Sequence, residues 1–141
     1  MAVLVDTGAW YALADASDRH HEAARTFYTQ RAGVVPLVTT DLIVAEAMAL
    51  LNAHLGHAAA QTFWGGLRET KTPVLVPEPV DLEAAWRIAQ AYPDQTFSFV
   101  DCLSFSLMER LDIEEAFTFD AHFLVYRFGP GRRRGFRRLP T

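Results

Sequence analysis

Apolar residues along this chain fall into short runs of three to five, separated by longer stretches with helical spacing. The first run, Val3-Leu4-Val5, is too short for a helix and stops at Asp6, Thr7 and Gly8. A run that is apolar without alternation fits a strand covered on both faces of a parallel sheet. Val34 to Val38, Pro73 to Pro77 and Ala116 to Asp120 read as three further strands, with Pro36 favouring a strand start or a weakly paired position. Phe136 to Leu139 is a candidate edge strand. Between them the pattern predicts a short apolar turn or helix at Trp10–Leu13. A longer helix over about 18–31 follows, capped by Ser17 and ended near Gly33, with acids early and Arg31 late.

Thr39, Thr40 and Asp41 form a capping cluster before a helix over about 42–55, ended by Gly56. Another helix spans about 57–70, where Gly65-Gly66 weakens the pattern and suggests close approach of a second backbone. A third covers about 82–92, with Trp86 and Ile88 assigned to one face. Ser98-Phe99-Val100-Asp101 has the form of a capping box ahead of a helix to about Leu111. A short segment at His122–Phe128 and a Gly/Pro/Arg turn complete the chain. Strands alternating with helices imply right-handed βαβ units, hence an α/β domain whose mostly parallel sheet carries helices on both faces.

The 141 residues fit one domain, 1–141. No apolar run approaches the roughly 18 residues of a membrane span, and the N-terminus lacks a basic lead and long apolar region, so no leader peptide is expected. One cysteine, Cys102, excludes an internal disulfide and fits a cytoplasmic setting; within an apolar helix it reads as a packed thiol. The net charge of -4 is unevenly spread. Residues 127–141 hold six arginines and no acid, whereas the rest holds seven Lys and Arg against seventeen Asp and Glu. An acidic body with a basic segment suggests a polyanion contact, with Arg132, Arg133 and Arg134 as candidates; a solvated tail is the alternative.

Four acids fall where this architecture delivers side chains to one edge of the sheet, the carboxyl ends of its strands. Asp6 and Asp120 end strands, and Glu46 and Asp101 lie in early helical turns. Each also has a plain structural reading. Asp6 could cap the next helix, Asp101 could be only the partner of Ser98, and Asp120 could be a turn residue. Glu46 is harder to dismiss, because its helical neighbours Leu42, Ile43, Ala49 and Leu50 offer no counter-charge. A half-apolar setting makes an unpaired carboxylate costly, so Glu46 needs a distant arginine, water or a metal. Four converging carboxylates repel unless a cation neutralises them, and an all-oxygen set suits Mg²⁺ or Mn²⁺ over Zn²⁺. Among the histidines, His20 and His21 read as solvated, His54 and His57 as helix-end residues, and His122 as a possible substrate contact or acid.

Val-Leu-Val-Asp-Thr at 3–7, Thr-Thr-Asp-Leu-Ile-Val-Ala-Glu at 39–46, Ser-Phe-Val-Asp-Cys at 98–102 and Thr-Phe-Asp-Ala-His-Phe at 118–123 together resemble the PIN-domain family, and within it the VapC-type toxin ribonucleases. The resemblance implies a three-layer α/β/α sandwich and Mg²⁺- or Mn²⁺-dependent RNA hydrolysis by a metal-activated water. It also implies neutralisation by a small cognate antitoxin. It assigns the acidic quartet to Asp6, Glu46, Asp101 and Asp120, and supporting hydroxyls to Thr7, Ser98 and Thr118. The apolar helices bearing Leu50, Leu51, Leu55, Phe63 and Trp64 exceed what one small sheet face hides, which suggests a homodimer contact or an antitoxin groove. The alternatives are a related nuclease acting on DNA or structured nucleic acid, and a non-catalytic RNA-binding or complex-forming module on the same fold. A receiver-type domain would want a lysine near the site, and a haloacid-dehalogenase-type phosphatase an aspartate where Gly8 stands.

Overall fold

The computed structural model describes every residue from Met1 to Thr141. In chain order it contains β1 (Val3–Val5), α1 (Thr7–Ala14), α2 (His21–Arg31), β2 (Leu37–Thr40), α3 (Asp41–His54), α4 (His57–Glu69) and β3 (Val74–Leu75). There follow α5 (Pro79–Ala91), α6 (Phe99–Arg110), β4 (Glu115–Phe117), α7 (His122–Val125), β5 (Arg127–Phe128), β6 (Arg134–Gly135) and β7 (Arg137–Leu139). β1 is the middle strand of a five-stranded sheet ordered β3-β2-β1-β4-β7, in which every pairing is parallel. All three residues of β1 are fully buried, which is why its sequence is apolar without alternation. α1 packs on α2 and α3, and α3 on α4; α5 packs on α6, and α6 on α7. With right-handed crossovers these two groups cover opposite faces, giving the expected three layers. From β1 the chain leaves first toward β2 and later returns on the other side through β4, so a crevice opens between the carboxyl ends of β1 and β4.

Several elements differ from the sequence expectation, each for a local reason. Trp10–Leu13 belongs to a full helix, α1, starting at Thr7. Ser17 does not cap α2: its backbone N–H and hydroxyl both donate to Asp15, and the helix starts only at His21. The second strand begins three residues later than expected, at Leu37, just beyond Pro36. Gly65 and Gly66 sit within α4 with no atom near the space a Cβ would fill, so no second backbone approaches them. Trp86 and Ile88 lie on different faces of α5, Trp86 64% exposed and Ile88 buried, because two residues along a helix turn through about 200°. β4 ends at Phe117, leaving Thr118, Phe119 and Asp120 as irregular chain at the crevice. His20 and His21 are half-buried: His20 stacks on Phe119 at 4.2 Å, and His21 Nδ1 lies 2.7 Å from the carbonyl of Ala12.

Under the second helix group lies an aromatic cluster in which Phe105 stacks on Tyr126 at 4.9 Å and meets Phe97, Phe123 and Phe136. The α5–α6 pair is locked by Asp81, a fully buried carboxylate that accepts from Arg110 Nε at 2.7 Å and Nη2 at 2.8 Å. The Arg110 hydrogen bonds hold the Asp81 carboxyl below its ordinary range, and the same contact raises the guanidinium. Removing the cation strands a buried charge. Arg110→Met should therefore destabilise the domain, read as a lower midpoint in urea, whereas replacing both partners by apolar residues should recover much of that loss.

Candidate active site

At the crevice, β1 ends in a backbone locked on both sides. Asp6 N–H donates to Phe117 O at 3.0 Å, and the buried Thr39 hydroxyl donates to Val5 O at 3.0 Å while accepting from the Trp10 indole at 3.1 Å. Asp6 occupies the N-cap position of α1, and its carbonyl receives Ala9 and Trp10, yet its carboxylate makes no capping bond. Capping therefore does not account for the acid. The side chain instead accepts from Thr118 Oγ1 at 2.9 Å. Burial, the largest influence, pushes the Asp6 carboxyl up to about 7; the Thr118 hydroxyl and the neighbouring Thr7 amide oppose this, and the charges of Asp101 and Asp120 add to it. That repulsion reflects the position of Asp101 and Asp120 around the same crevice.

Thr118 joins two strand-end acids. Its own N–H donates to Leu139 O on β7, its hydroxyl reaches Asp6, and the same oxygen accepts the Asp120 N–H at 3.0 Å. Asp120 in turn accepts from His122 N–H at 2.8 Å, so the turn role and the site role coincide in one residue. Asp101 also does both things expected of it. Ser98 Oγ accepts the Asp101 N–H at 3.0 Å, and Asp101 Oδ2 accepts the Ser98 N–H at 3.1 Å, completing a capping box at the start of α6. That same Oδ2 faces the crevice and lies 2.9 Å from His122 Nδ1. Glu46, on α3, is half-buried with no cation near it and accepts from the Thr7 hydroxyl across from α1.

One coordinating atom each from Asp101, Asp120 and His122 lies within 4.8 Å of the others. Asp6 and Glu46 stand outside that tight trio: Thr118 links Asp6 to the Asp120 backbone, and Glu46 is bonded to Thr7, the residue after Asp6. The structure thus adds an imidazole to a donor set read from the sequence as oxygen only. The signal was present two residues past Asp120, where one turn of chain after a strand-end acid returns a side chain to the same place. His122 is further fixed by Phe97, edge-on at 5.1 Å. Asp94 is exposed in the turn between α5 and α6, and Cys102 is buried, its thiol pushed up by desolvation.

The three candidate arginines are separated. Arg134 lies 3.5 Å from Asp112 and 3.7 Å from Glu114, over the Phe128 ring, at the edge where β4 begins and away from the carboxylates. Arg133 is exposed, and its carbonyl accepts from Arg127. Arg132 lies over Tyr92, which faces Phe97 and thus the side of the site.

A carboxyl raised by burial reverses the usual acid dependence of stability. Below about pH 4 Asp6 is protonated folded and unfolded and contributes nothing. Between there and pH 7 the unfolded chain releases the proton while the folded protein keeps it, so stability falls as pH rises, by roughly 4 kcal/mol in full. In EDTA, the stability difference between wild type and Asp6→Asn should shift toward the variant across this window and level off above it; urea titrations at several pH values read this.

Comparison with known proteins agrees with the geometry. The PIN domain family matches residues 3–129. The chain is 32% identical over 127 residues to the 23S rRNA-specific endonuclease VapC20 of Mycobacterium tuberculosis, in strains CDC 1551 / Oshkosh and ATCC 25618 / H37Rv, covering 89% of this chain and 95% of the relative. A crystal structure of Mycobacterium tuberculosis VapC20, described as a sarcin-ricin loop cleaving toxin, superposes with a TM-score of 0.80 at 29% identity, over 90% of this chain and 96% of that one. With an enclosed parallel sheet, its acids gathered at the β1–β4 crevice and a match spanning nearly its whole length, this chain belongs to the PIN-domain family.

Proposed function

We propose that this protein is a VapC-type toxin, an endoribonuclease dependent on Mg²⁺ or Mn²⁺, whose substrate is ribosomal RNA of the sarcin–ricin type. The observation that carries the reading is the buried Asp6 carboxylate, placed beside Asp101 and Asp120 with only hydroxyl and amide partners. A domain that merely binds RNA gains nothing from that arrangement, and the repulsion calls for a cation. The donor chemistry fits one: Asp101 and Asp120 with His122 would hold it, Asp6 and Glu46 would complete its charge balance, and an imidazole is well tolerated by Mn²⁺. Once bound, such an ion polarises a phosphate oxygen and acidifies a water for attack on the phosphodiester.

The chain's own groups do the positioning. Thr118 holds Asp6 toward the crevice and fixes the Asp120 backbone in the same stroke. Thr7 orients Glu46, and the Ser98 capping box fixes the angle at which Asp101 enters. The neutralising partner is a small cognate antitoxin. A cleft of about 500 Å³ lined by Trp10, Leu13, Tyr28, Phe63 and Leu67 offers an apolar bed for its helix. A homodimer would cover Leu50, Leu55 and Trp64, which are exposed, while Leu51 is core. No helix is long and apolar enough to cross a membrane, and the reading places the enzyme in the cytoplasm with its RNA.

Purified protein should cut a 23S rRNA fragment with Mg²⁺ or Mn²⁺, and should not cut it in EDTA or as Asp6→Asn. Metal-loaded, antitoxin-free protein that leaves every ribosomal RNA intact would defeat the assignment. Thr7→Val and Thr118→Val, which remove only an orienting hydroxyl, should lower cleavage or metal affinity by about 10- to 100-fold while remaining folded.

A further inference from the structure

A second concave region, of about 340 Å³, lies between the C-terminal half of α5 and the turn that joins β5 to β6. Arg87, Arg127 and Arg132 line it with Tyr92, over a floor of Ile88, Tyr126 and Phe128. None of these three guanidiniums has a carboxylate within ion-pair distance; the ion pairs of the chain use Arg25, Arg110, Arg134, Arg137 and His122. Glu109 is the one acid in the lining, and it accepts from the Tyr126 hydroxyl at 2.7 Å. In a chain with a net charge of -4, three guanidiniums without a carboxylate partner gather around one hollow.

Their positions are built. Arg127 Nη2 donates to Arg133 O at 2.6 Å, and its guanidinium lies where a Cβ on residue 135 would come within 2.8 Å, so Gly135 keeps that place open. Its backbone N–H and carbonyl both bond the Tyr92 hydroxyl, each at 3.1 Å. Arg132, held at a φ of 53°, covers the Tyr92 ring at 5.0 Å. The hollow is also packed next to the site: Tyr92 meets Phe97 at 5.3 Å, and Phe97 meets His122 at 5.1 Å. Two aromatic rings, Tyr92 and Phe97, lie between Arg132 and the His122 edge of the carboxylate cluster.

We propose that this hollow is a subsite for the RNA strand flanking the scissile bond, in which Arg87, Arg127 and Arg132 contact backbone phosphates and Tyr92 holds Arg127 and Arg132 in place. Guanidiniums without a carboxylate partner, gathered on one hollow beside the catalytic crevice, are the chemistry of strand binding, in which phosphates supply the affinity whatever the base. The subsite rests on the ribonuclease reading, and gives the acidic crevice the affinity for a polyanion that its own carboxylates oppose.

The test separates the two. A fluorescein-labelled sarcin–ricin RNA oligonucleotide is titrated, with Mg²⁺ present, against Asp6→Asn and against the same protein carrying Arg87→Gln and Arg132→Gln. The added substitutions, both at exposed positions, should weaken binding about 10-fold or more at moderate salt and make the slope of log affinity against log salt shallower by about 1.4, roughly 0.7 for each phosphate left without its arginine. In the otherwise wild-type enzyme the same pair should raise KM and leave kcat in place, and Arg87→Lys with Arg132→Lys should restore most of the salt slope. Unchanged affinity and slope would overturn the subsite, as would a fall in kcat with RNA binding intact. A weakened grip on the antitoxin with RNA binding intact would show a protein-docking surface and overturn it too. Absence of both binding and cleavage in the parent protein would instead bring down the ribonuclease reading, and the subsite with it.

Discussion

The cost of holding the Asp6 carboxylate out of water governs the rest of the structure. A buried acid with no cationic partner is tolerated only where hydroxyls and amides share its charge. Thr118 is the side chain given to that task, and it comes from the far end of the chain. Keeping Thr118 in reach requires β4 to lie directly beside β1, and Thr118 N–H to be held by Leu139 on β7. The β1–β4–β7 side of the sheet fits this demand, as does the irregular stretch after Phe117, which turns Asp120 back toward the crevice instead of continuing the strand. The site destabilises the protein that carries it, as is common where charge is gathered for chemistry.

Charge is distributed by the same logic. Acids occupy the carboxyl edge of the β1–β4 pair, and the arginines near the end of the chain divide by location. Arg134 and Arg137 are paired with Asp112, Glu114 and Glu115 at the opposite edge, where they fasten β6 and β7 to the start of β4. Arg127 and Arg132 turn toward α5, where Arg87 joins them. A segment that reads as a uniform basic tail is in the folded protein a structural clamp on one side and an open cationic wall on the other.

The sequence shows the parts of this arrangement that depend on local rules. Asp6 is legible because an apolar run must stop where the strand leaves the core. Asp101 follows from its spacing to Ser98, and Glu46 stands out because no helical neighbour can balance it. What escapes depends on distant partners. Ser17 has the identity of a cap, but Asp15 two residues earlier takes both its hydroxyl and its N–H, and nothing local says which bond prevails. Trp86 and Ile88 do not share a face, since helical geometry alone separates them, and only the fold shows which of the two points outward. His122 joins the acids because the chain bends after β4, and the division of the arginines follows from pairing between β4 and β7. These are tertiary facts, and no window of sequence contains them.

The bond between Thr118 and Asp6 closes a loop of 112 positions in sequence. Contacts of such range form late, because the chain must forfeit most of its freedom before they repay it. β1 can meet β2 early, and α3 can pack on α1, without any trace of the acidic cluster. Only when β4 arrives beside β1 does a carboxylate trio exist. On the ribonuclease reading, partly folded forms therefore lack the assembled acidic cluster whatever secondary structure they contain, and the site belongs to the completed fold alone.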